Sequence, residues 1–111
     1  MIGEMAMITI KIAKDFSRFP AGRYLSDGEF SGERFREQIL VPNLRDAGEI
    51  EIDIDDAAGY GSSFLEEAFG GLVRKGYFTP ADLRKRLMII SKDPGFSSYK
   101  GQIWRFIDSA K

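Results

Sequence analysis

The sequence contains no cysteine and no histidine. Without thiols the chain forms no disulfide and has no thiol nucleophile, and it lacks the usual ligands of structural zinc sites. Without imidazole it also lacks the side chain that most often acts as a general base near neutral pH. Carboxylates, lysine, tyrosine or serine would have to carry any catalysis, and no pair of these has a spacing that singles it out. The sequence therefore predicts a protein that is not an enzyme and that holds no cofactor.

An excess of one charge and a long apolar run are missing as well. The chain has 16 basic and 17 acidic residues, for a net charge of -1, so no overall field draws it to nucleic acid or to anionic lipid. The lysines of the C-terminal third are scattered and form no basic stripe. No apolar run approaches the roughly 20 residues of a membrane span, and no signal-peptide pattern is present. We expect a cytoplasmic protein that binds neither nucleic acid nor membrane.

The length and composition fit one globular domain over residues 1–111. A chain of 111 residues, of which 43% are apolar and 30% charged, builds a single core with little room for a second. No internal repeat and no linker interrupts it.

The spacing of apolar residues predicts an α/β fold. Alternating patterns predict strands at 5–13 and 49–55, a short apolar run predicts another at 88–91, and a further short strand is expected at 23–25. Between and after them, spacings of three and four predict helices. This order indicates a mixed sheet of about four strands with right-handed crossover helices.

The helix boundaries follow from capping residues. Ser31 is a typical N-cap for a first helix, in which Pro42 marks a bend or an end. A central helix begins near Ser63 and stops at Gly76. Thr79 caps a short third helix with proline in its first turn, and a last helix covers 98–110.

The turn between the 49–55 strand and the central helix is the most informative segment. We call residues 59–63, Gly-Tyr-Gly-Ser-Ser, the serine corner. Ser63 and Glu66 have the Ser-x-x-Glu spacing of a capping box, which is favoured over a chemical role for Ser63. Ser62 precedes that cap and is not needed by it, so it is either an exposed, partner-facing hydroxyl or an ordinary loop serine.

Two further features of this region have simple structural interpretations. Gly59 and Gly61 are more typical of a turn with positive φ than of a nucleotide-binding loop. The acidic side chains of the 49–56 segment alternate along a strand, about 7 Å apart, and suit a solvated face better than the first shell of one ion. The sequence therefore predicts no metal site. These acidic residues are Glu49, Glu51, Asp53, Asp55 and Asp56.

The sequence around the corner resembles a known family. The run IDDAAGYGSSFL at 54–65 resembles the signature of STAS domains, which occur in bacterial anti-anti-sigma factors and in sulfate transporters and carry Asp-Ser-Ser-Gly-Leu at this place. The runs GRYLSDGEFSGERFRE and GYGSSFLEEAFGGLVRKG resemble more closely a family of small bacterial STAS-like domains of unknown function (DUF4325). This second resemblance extends over nearly the whole chain and implies a STAS-like fold.

The resemblance also implies a function. In anti-anti-sigma factors a partner that is both kinase and anti-sigma factor phosphorylates the serine after the aspartate, and phosphorylation breaks the complex. That serine corresponds to Ser62, although Gly61 replaces the aspartate and Phe64 the following glycine. The resemblance implies a non-enzymatic regulatory module that binds an ATP-binding, kinase-like or anti-sigma-like protein, with Ser62 as phosphoacceptor.

The predicted partner-binding residues lie in two segments: Tyr60, Gly61, Ser62 and Ser63 of the corner, and Arg23, Tyr24 and Asp27 of the GRYLSDG loop. The resemblance places this loop beside the corner, while a turn with an arginine salt bridge explains its residues equally well. The alternative function is a small-molecule, nucleotide or anion-binding domain that uses the backbone N–H groups of residues 61–65 at the helix start.

Overall fold

A computed structural model describes residues 7–111. Three strands form one sheet in the order β1 (Met7–Lys11), β2 (Glu49–Asp53) and β3 (Leu87–Ile90), and both pairs are parallel. Ile8 lies opposite Ile50 in the register. The first two residues of the strand predicted at 5–13 lie outside the described residues, and the observed strand ends at Lys11 instead of Ala13.

The prediction of a mixed, four-stranded sheet is wrong. The sheet of residues 7–111 has three strands, all parallel, and no strand forms at 23–25. Leu25–Asp27 instead form a single 3-10 turn. The carboxylate of Asp27 accepts hydrogen bonds from the backbone N–H groups of Arg23 and Tyr24, at 3.1 and 2.8 Å. The backbone donors that a strand would pair with a neighbour are thus satisfied locally.

Four helices follow the predicted order, and the first two change their winding part-way. Helix 32–47 consists of Gly32–Phe35, a π-helical turn Arg36–Leu40, and Val41–Ala47. Helix 62–74 consists of Ser62–Leu65, a π-helical turn Glu66–Gly70, and Gly71–Arg74. The third and fourth helices are Pro80–Arg86 and Ser97–Ser109. Ile12–Phe16 form a π-helical turn after β1, and Pro94–Phe96 a 3-10 turn before the last helix.

Several predicted helix boundaries are confirmed. Ser31 Oγ accepts a hydrogen bond from Arg34 N at 3.2 Å. Thr79 and Asp82 form a capping box before Pro80–Arg86. Gly76, with φ of 78°, follows the end of helix 62–74 in the left-handed conformation expected of a stop. Pro42 does not end its helix, because it lies in the first turn of the last α-helical segment, just after the π-helical turn.

The sheet has one buried and one open face. Ile10, Ile50, Ile52 and Ile89 are buried in a core shared with the helices. The opposite face carries polar and exposed residues, where Thr9 Oγ1 donates to Glu51 Oε1 at 3.0 Å. Since each helix between strands runs back against the strand direction, helices 32–47 and 62–74 begin at the carboxyl edge of the sheet. In the described part of the chain, no helix combines the length and the apolar character that crossing a bilayer requires.

Candidate functional site

The loop that leaves β2 is fixed to the end of β3 by one carboxylate. Asp55 accepts hydrogen bonds from Ser91 Oγ and from the backbone N–H of Lys92, both at 2.6 Å. Burial raises the pKa of Asp55, but these hydrogen bonds outweigh it and the net pKa lies below the usual value. Asp53 Oδ1 in turn accepts from Asp55 N at 2.9 Å. The approach to the serine corner is therefore held in place.

Tyr60 closes the loop from the inside, which corrects its prediction as a partner-binding residue. Its side chain is only 7% exposed. The hydroxyl donates to the carbonyl of Ile54 at 2.7 Å. Burial, followed by the nearby carboxylates of Asp53 and Asp55, raises the pKa of this phenol. The preceding Gly59 adopts φ of 142°, a backbone turn that L side chains rarely adopt and that lets the chain direct the ring inward.

The capping box predicted from Ser63 and Glu66 is also wrong. Helix 62–74 begins at Ser62, and its N-cap is Gly61, which makes no side-chain cap hydrogen bond. The carboxylate of Glu66 is engaged instead by the guanidinium groups of Arg23 and Arg74. Gly61 has φ of -75°, so the positive φ expected of the glycine pair holds for Gly59 alone. Ser62 and Ser63 are both exposed, in the first turn of the helix.

The loop at 18–30, which we call the aromatic loop, lies against this corner. The carbonyl of Arg18 accepts a hydrogen bond from Ala58 N at 2.8 Å. The guanidinium of Arg23 donates to Glu66 and, at 3.3 Å, to Glu67. The guanidinium of Arg23 and the carboxylate of Asp27 thus serve the packing of the loop. Tyr24, by contrast, remains exposed.

The aromatic loop exposes an unusual amount of apolar surface. Phe19 is 70% exposed, Leu25 52% and Tyr24 51%. Phe30 is also exposed, and its ring meets the half-buried ring of Phe16 edge-on at 5.5 Å. Aromatic residues most often dominate the energetics of protein contact sites, so these exposed side chains mark the loop as a candidate contact surface.

Comparison with known proteins gives one match. The profile of a STAS-like domain of unknown function (DUF4325) matches residues 31–95, more than half of the chain. The chain belongs to this family. The matched stretch includes β2, the serine corner and helix 62–74, whereas the aromatic loop precedes it. No curated protein and no solved structure matches the chain.

Sequence reasoning missed the main polar cluster of the STAS-like domain. Arg36 is fully buried and Glu67 nearly so. Arg36 Nη1 donates to the backbone carbonyl and to the carboxylate of Glu67, each at 2.7 Å, and its Nε donates to Glu37 at 2.8 Å. Burial raises the pKa of Glu67. The hydrogen bond and the charge of Arg36 lower it by more, so the net pKa lies below the usual value. This pair joins helix 32–47 to helix 62–74.

The two adjacent glycines of helix 62–74 make room for this cluster. A β-carbon on Gly71 would overlap Arg36 Nη1, and one on Gly70 would crowd the Glu66 carboxylate at 2.8 Å. Glycine inside a helix costs about 1 kcal/mol relative to alanine, so the Gly70-Gly71 pair was the sequence signal for a close approach. The π-helical turns of the two helices contain Arg36 and Glu67 themselves.

Residues 7–111 contain no group of three or more acidic, histidine or cysteine side chains placed to hold a metal ion. The acidic residues of the β2 region are not arranged as ligands of one ion. Asp53 and Asp55 instead bind backbone and hydroxyl donors of the neighbouring loops.

Proposed function

We propose that this STAS-like domain is a non-enzymatic regulatory module that binds another protein through the aromatic loop together with Ser62 and Ser63. The observation that carries the proposal is the exposure of Phe19, Tyr24 and Leu25 on a loop that is hydrogen-bonded to the segment bearing two exposed serines. Rigid aromatic side chains supply contact area at a low entropic cost, and the exposed hydroxyls of the adjoining segment are accessible to a modifying partner.

Phosphorylation of Ser62 is proposed as the switch of this binding. As the first residue of helix 62–74, a phosphoserine here meets the positive end of the helix dipole, so the fold tolerates it. The nearby Arg23 is already paired with Glu66 and Glu67, so the added charge of roughly -2 is not neutralised by that guanidinium. The phosphate charge therefore acts on the bound partner. Because the partner makes apolar contacts with the loop, it would have to bury this charge away from water, which is costly. The family resemblance supports an ATP-binding, kinase-like or anti-sigma-like partner.

Site-specific photo-crosslinking in the native cell identifies the partner. A photoreactive residue in place of Phe19 or Ser62 is expected to capture the same protein. The matched control replaces Ser109, an exposed serine at the far end of the last helix. Capture of one protein at both test positions and not at 109 supports the surface, whereas capture only at 109 contradicts it.

Binding measurements with the captured protein then separate the surface from the switch. Phe19→Ala and Ser62→Asp are expected to weaken binding at least tenfold, about 1.4 kcal/mol, while Ser62→Ala and Ser109→Asp retain it. If Phe19→Ala weakens binding and Ser62→Asp does not, the surface stands and the switch is wrong. Unchanged binding by both variants removes the surface.

One observation favours a second function, anion binding at residues 61–65. No side chain caps the start of helix 62–74, so backbone donors of its first turn face outward, as in known anion sites. Thermal shift with nucleotides and inorganic phosphate tests it, because a ligand at 100 times its dissociation constant stabilises by about 2.7 kcal/mol. Ser62→Asp should abolish such a shift, and absence of any shift in the wild type rejects this function.

A further inference from the structure

A cavity opens at the carboxyl edge of the sheet. Its volume is about 620 Å³, within the range of roughly 300 to 1,000 Å³ typical of small-molecule sites. Lys11 and Asp53, the last residues of β1 and β2, line it, and Asp93 reaches it from the segment after β3. The carboxyl ends of parallel strands are where α/β sheets most often bind ligands.

The lining carries opposite charges that do not pair with each other. Lys11, Lys14 and Arg18 supply the cationic part, and four aspartates supply the anionic part: Asp53, Asp55, Asp56 and Asp93. Lys11 and Asp53 are direct register partners on neighbouring strands. Nevertheless, among the ion pairs formed within residues 7–111, none joins a lysine or arginine of the cavity to one of its aspartates.

The anionic part is fixed by the backbone around it. Asp55 is held by Ser91 and Lys92, Asp53 accepts from Asp55 N, and Asp93 Oδ1 accepts from Gly95 N at 2.8 Å. These bonds hold three of the four carboxylates in place, so the loops preorganise the anionic part of the lining.

An aromatic ring completes the lining. Phe96 is half-buried and lies in the cavity wall. The rings of Tyr60 and Tyr99 hold it edge-on, at centroid distances of 6.1 and 5.4 Å. An aromatic face beside carboxylates suits an ammonium group, because the ring quadrupole and the negative charges attract it together.

We propose that this cavity binds a small zwitterion, an organic molecule that carries an ammonium group and a carboxylate or phosphate group. The ammonium lies toward the aspartates and Phe96, and the anionic group toward Lys11, Lys14 and Arg18. A ligand with one charge would satisfy half of the lining and face like charge on the other half. The site shares Arg18 with the aromatic loop, whereas Lys14 lies outside that loop and outside the serine corner, so a change at Lys14 tests this site separately from the protein-binding surface.

Nuclear magnetic resonance titration tests the proposal with matched probes. The zwitterions are 4-aminobutyrate and O-phosphoethanolamine, and the single-charge controls are butylamine, butyrate and inorganic phosphate. We expect saturable shifts of the backbone amide signals of Asp55, Lys92 and Asp93 with at least one zwitterion, at concentrations at least tenfold lower than with any control. Whether the carboxylate or the phosphate probe binds more tightly identifies the anionic group.

Lys14→Ala should weaken that binding at least tenfold, while Lys100→Ala, which removes an exposed lysine of the last helix, should leave it unchanged. The proposal is overturned if no zwitterion gives a saturable shift. It is equally overturned if inorganic phosphate or butylamine alone binds as tightly as the zwitterions, or if Lys14→Ala and Lys100→Ala behave alike.

Discussion

The domain uses the same kinds of charged side chain in two opposite ways. Between helices 32–47 and 62–74, Arg36 and Glu67 are buried and in direct contact at 2.7 Å. At the carboxyl edge of the sheet, lysines and aspartates line an open cavity and do not meet. Buried charges need partners because an uncompensated charge away from water is very costly. Unpaired charges at an edge are solvated, and they remain available for a ligand.

This difference separates residues that hold the fold from residues that are free to bind. Arg23 connects the exposed aromatic loop to the buried pair, since it extends from that loop to Glu66 and Glu67. Its contact places the exposed loop on the rigid helix pair. The predictions below test whether the division is as sharp as the contacts indicate.

The largest effect is expected from Arg36→Ala. Removing one partner of a buried ion pair costs about 3 to 5 kcal/mol, because Glu67 is left buried with less compensation. Urea denaturation measures the loss. The control is Arg84→Ala, which breaks the exposed pair with Asp108 and should leave the unfolding free energy within experimental error. Similar losses in both variants would show that burial does not distinguish the two pairs.

A double variant sharpens this result. Arg36→Met combined with Glu67→Met removes both buried charges and retains side chains of similar length. Replacement of a buried pair by apolar residues is often neutral or stabilising, so the double variant should be more stable than Arg36→Ala. A double variant that is the less stable of the two would mean that the bonds from Arg23 and Arg74 to Glu67 contribute more than the Arg36 contact does.

The next effect is expected at Gly71. A methyl group there collides with Arg36, which cannot move away because Glu67 holds it, so Gly71→Ala should destabilise by about 1 to 3 kcal/mol. Gly101 provides the matched control, since it lies inside the last helix with only Arg105 nearby, at 3.7 Å from an added β-carbon. Gly101→Ala should stabilise by about 1 kcal/mol. Thermal or urea denaturation of both variants gives the comparison, and equal signs would refute it.

The two carboxylates that contact Arg36 also predict how stability depends on pH. Glu37 and Glu67 have lowered pKa values in the fold, because hydrogen bonds and charge from Arg36 outweigh the effect of burial. The unfolded chain therefore binds protons first as the pH falls. The stability that these groups contribute is present above their unfolded pKa of 4.5 and is lost as the pH drops through the folded values.

Urea denaturation between neutral pH and about pH 3 measures this dependence. Glu67→Gln should reduce the slope of unfolding free energy against pH below 4.5, whatever its effect on stability at neutral pH. Glu29→Gln replaces an exposed glutamate of the aromatic loop and should keep the wild-type slope. An unchanged slope in Glu67→Gln would show that the Arg36 contact does not lower the pKa of this carboxylate.

Much of the fold was predictable from local patterns. Alternation located β1 and β2, and spacings of three and four located the helices, because these periods depend only on which side of an element faces the core. The caps at Ser31 and Thr79 were predictable because capping is also local: each hydroxyl accepts a hydrogen bond from the amide three residues later. The prediction of a short strand at 23–25 failed because the Asp27 carboxylate, close by in the sequence, accepts the backbone hydrogen bonds that a neighbouring strand would otherwise accept.

The site was less predictable, because it depends on the residue at which a helix starts and on where its winding changes. Starting the helix at Ser62 moves the cap by two residues, from Ser63 to Gly61, and frees Glu66 for the arginines. A π-helical turn inserts one residue into the 3.6-residue repeat of each helix, so the repeat on one side of the turn does not predict which residues face the core on the other side. The burial of Tyr60 between two glycines likewise depends on long-range contacts with the rings of Phe96 and Tyr99, which no local pattern contains.

The smallest effect is expected at Ser62, and it decides whether the exposed region is independent of the fold. Ser62→Asp places a negative charge on the first residue of helix 62–74, where the dipole favours it by about 0.3 to 1 kcal/mol. Ser62→Asn is the matched neutral control. Urea denaturation should show Ser62→Asp slightly more stable than Ser62→Asn, with the difference reduced at high salt. A clear loss of stability would mean that a charge at this position disturbs the structure itself, and a phosphate there would then act on folding as well as on binding.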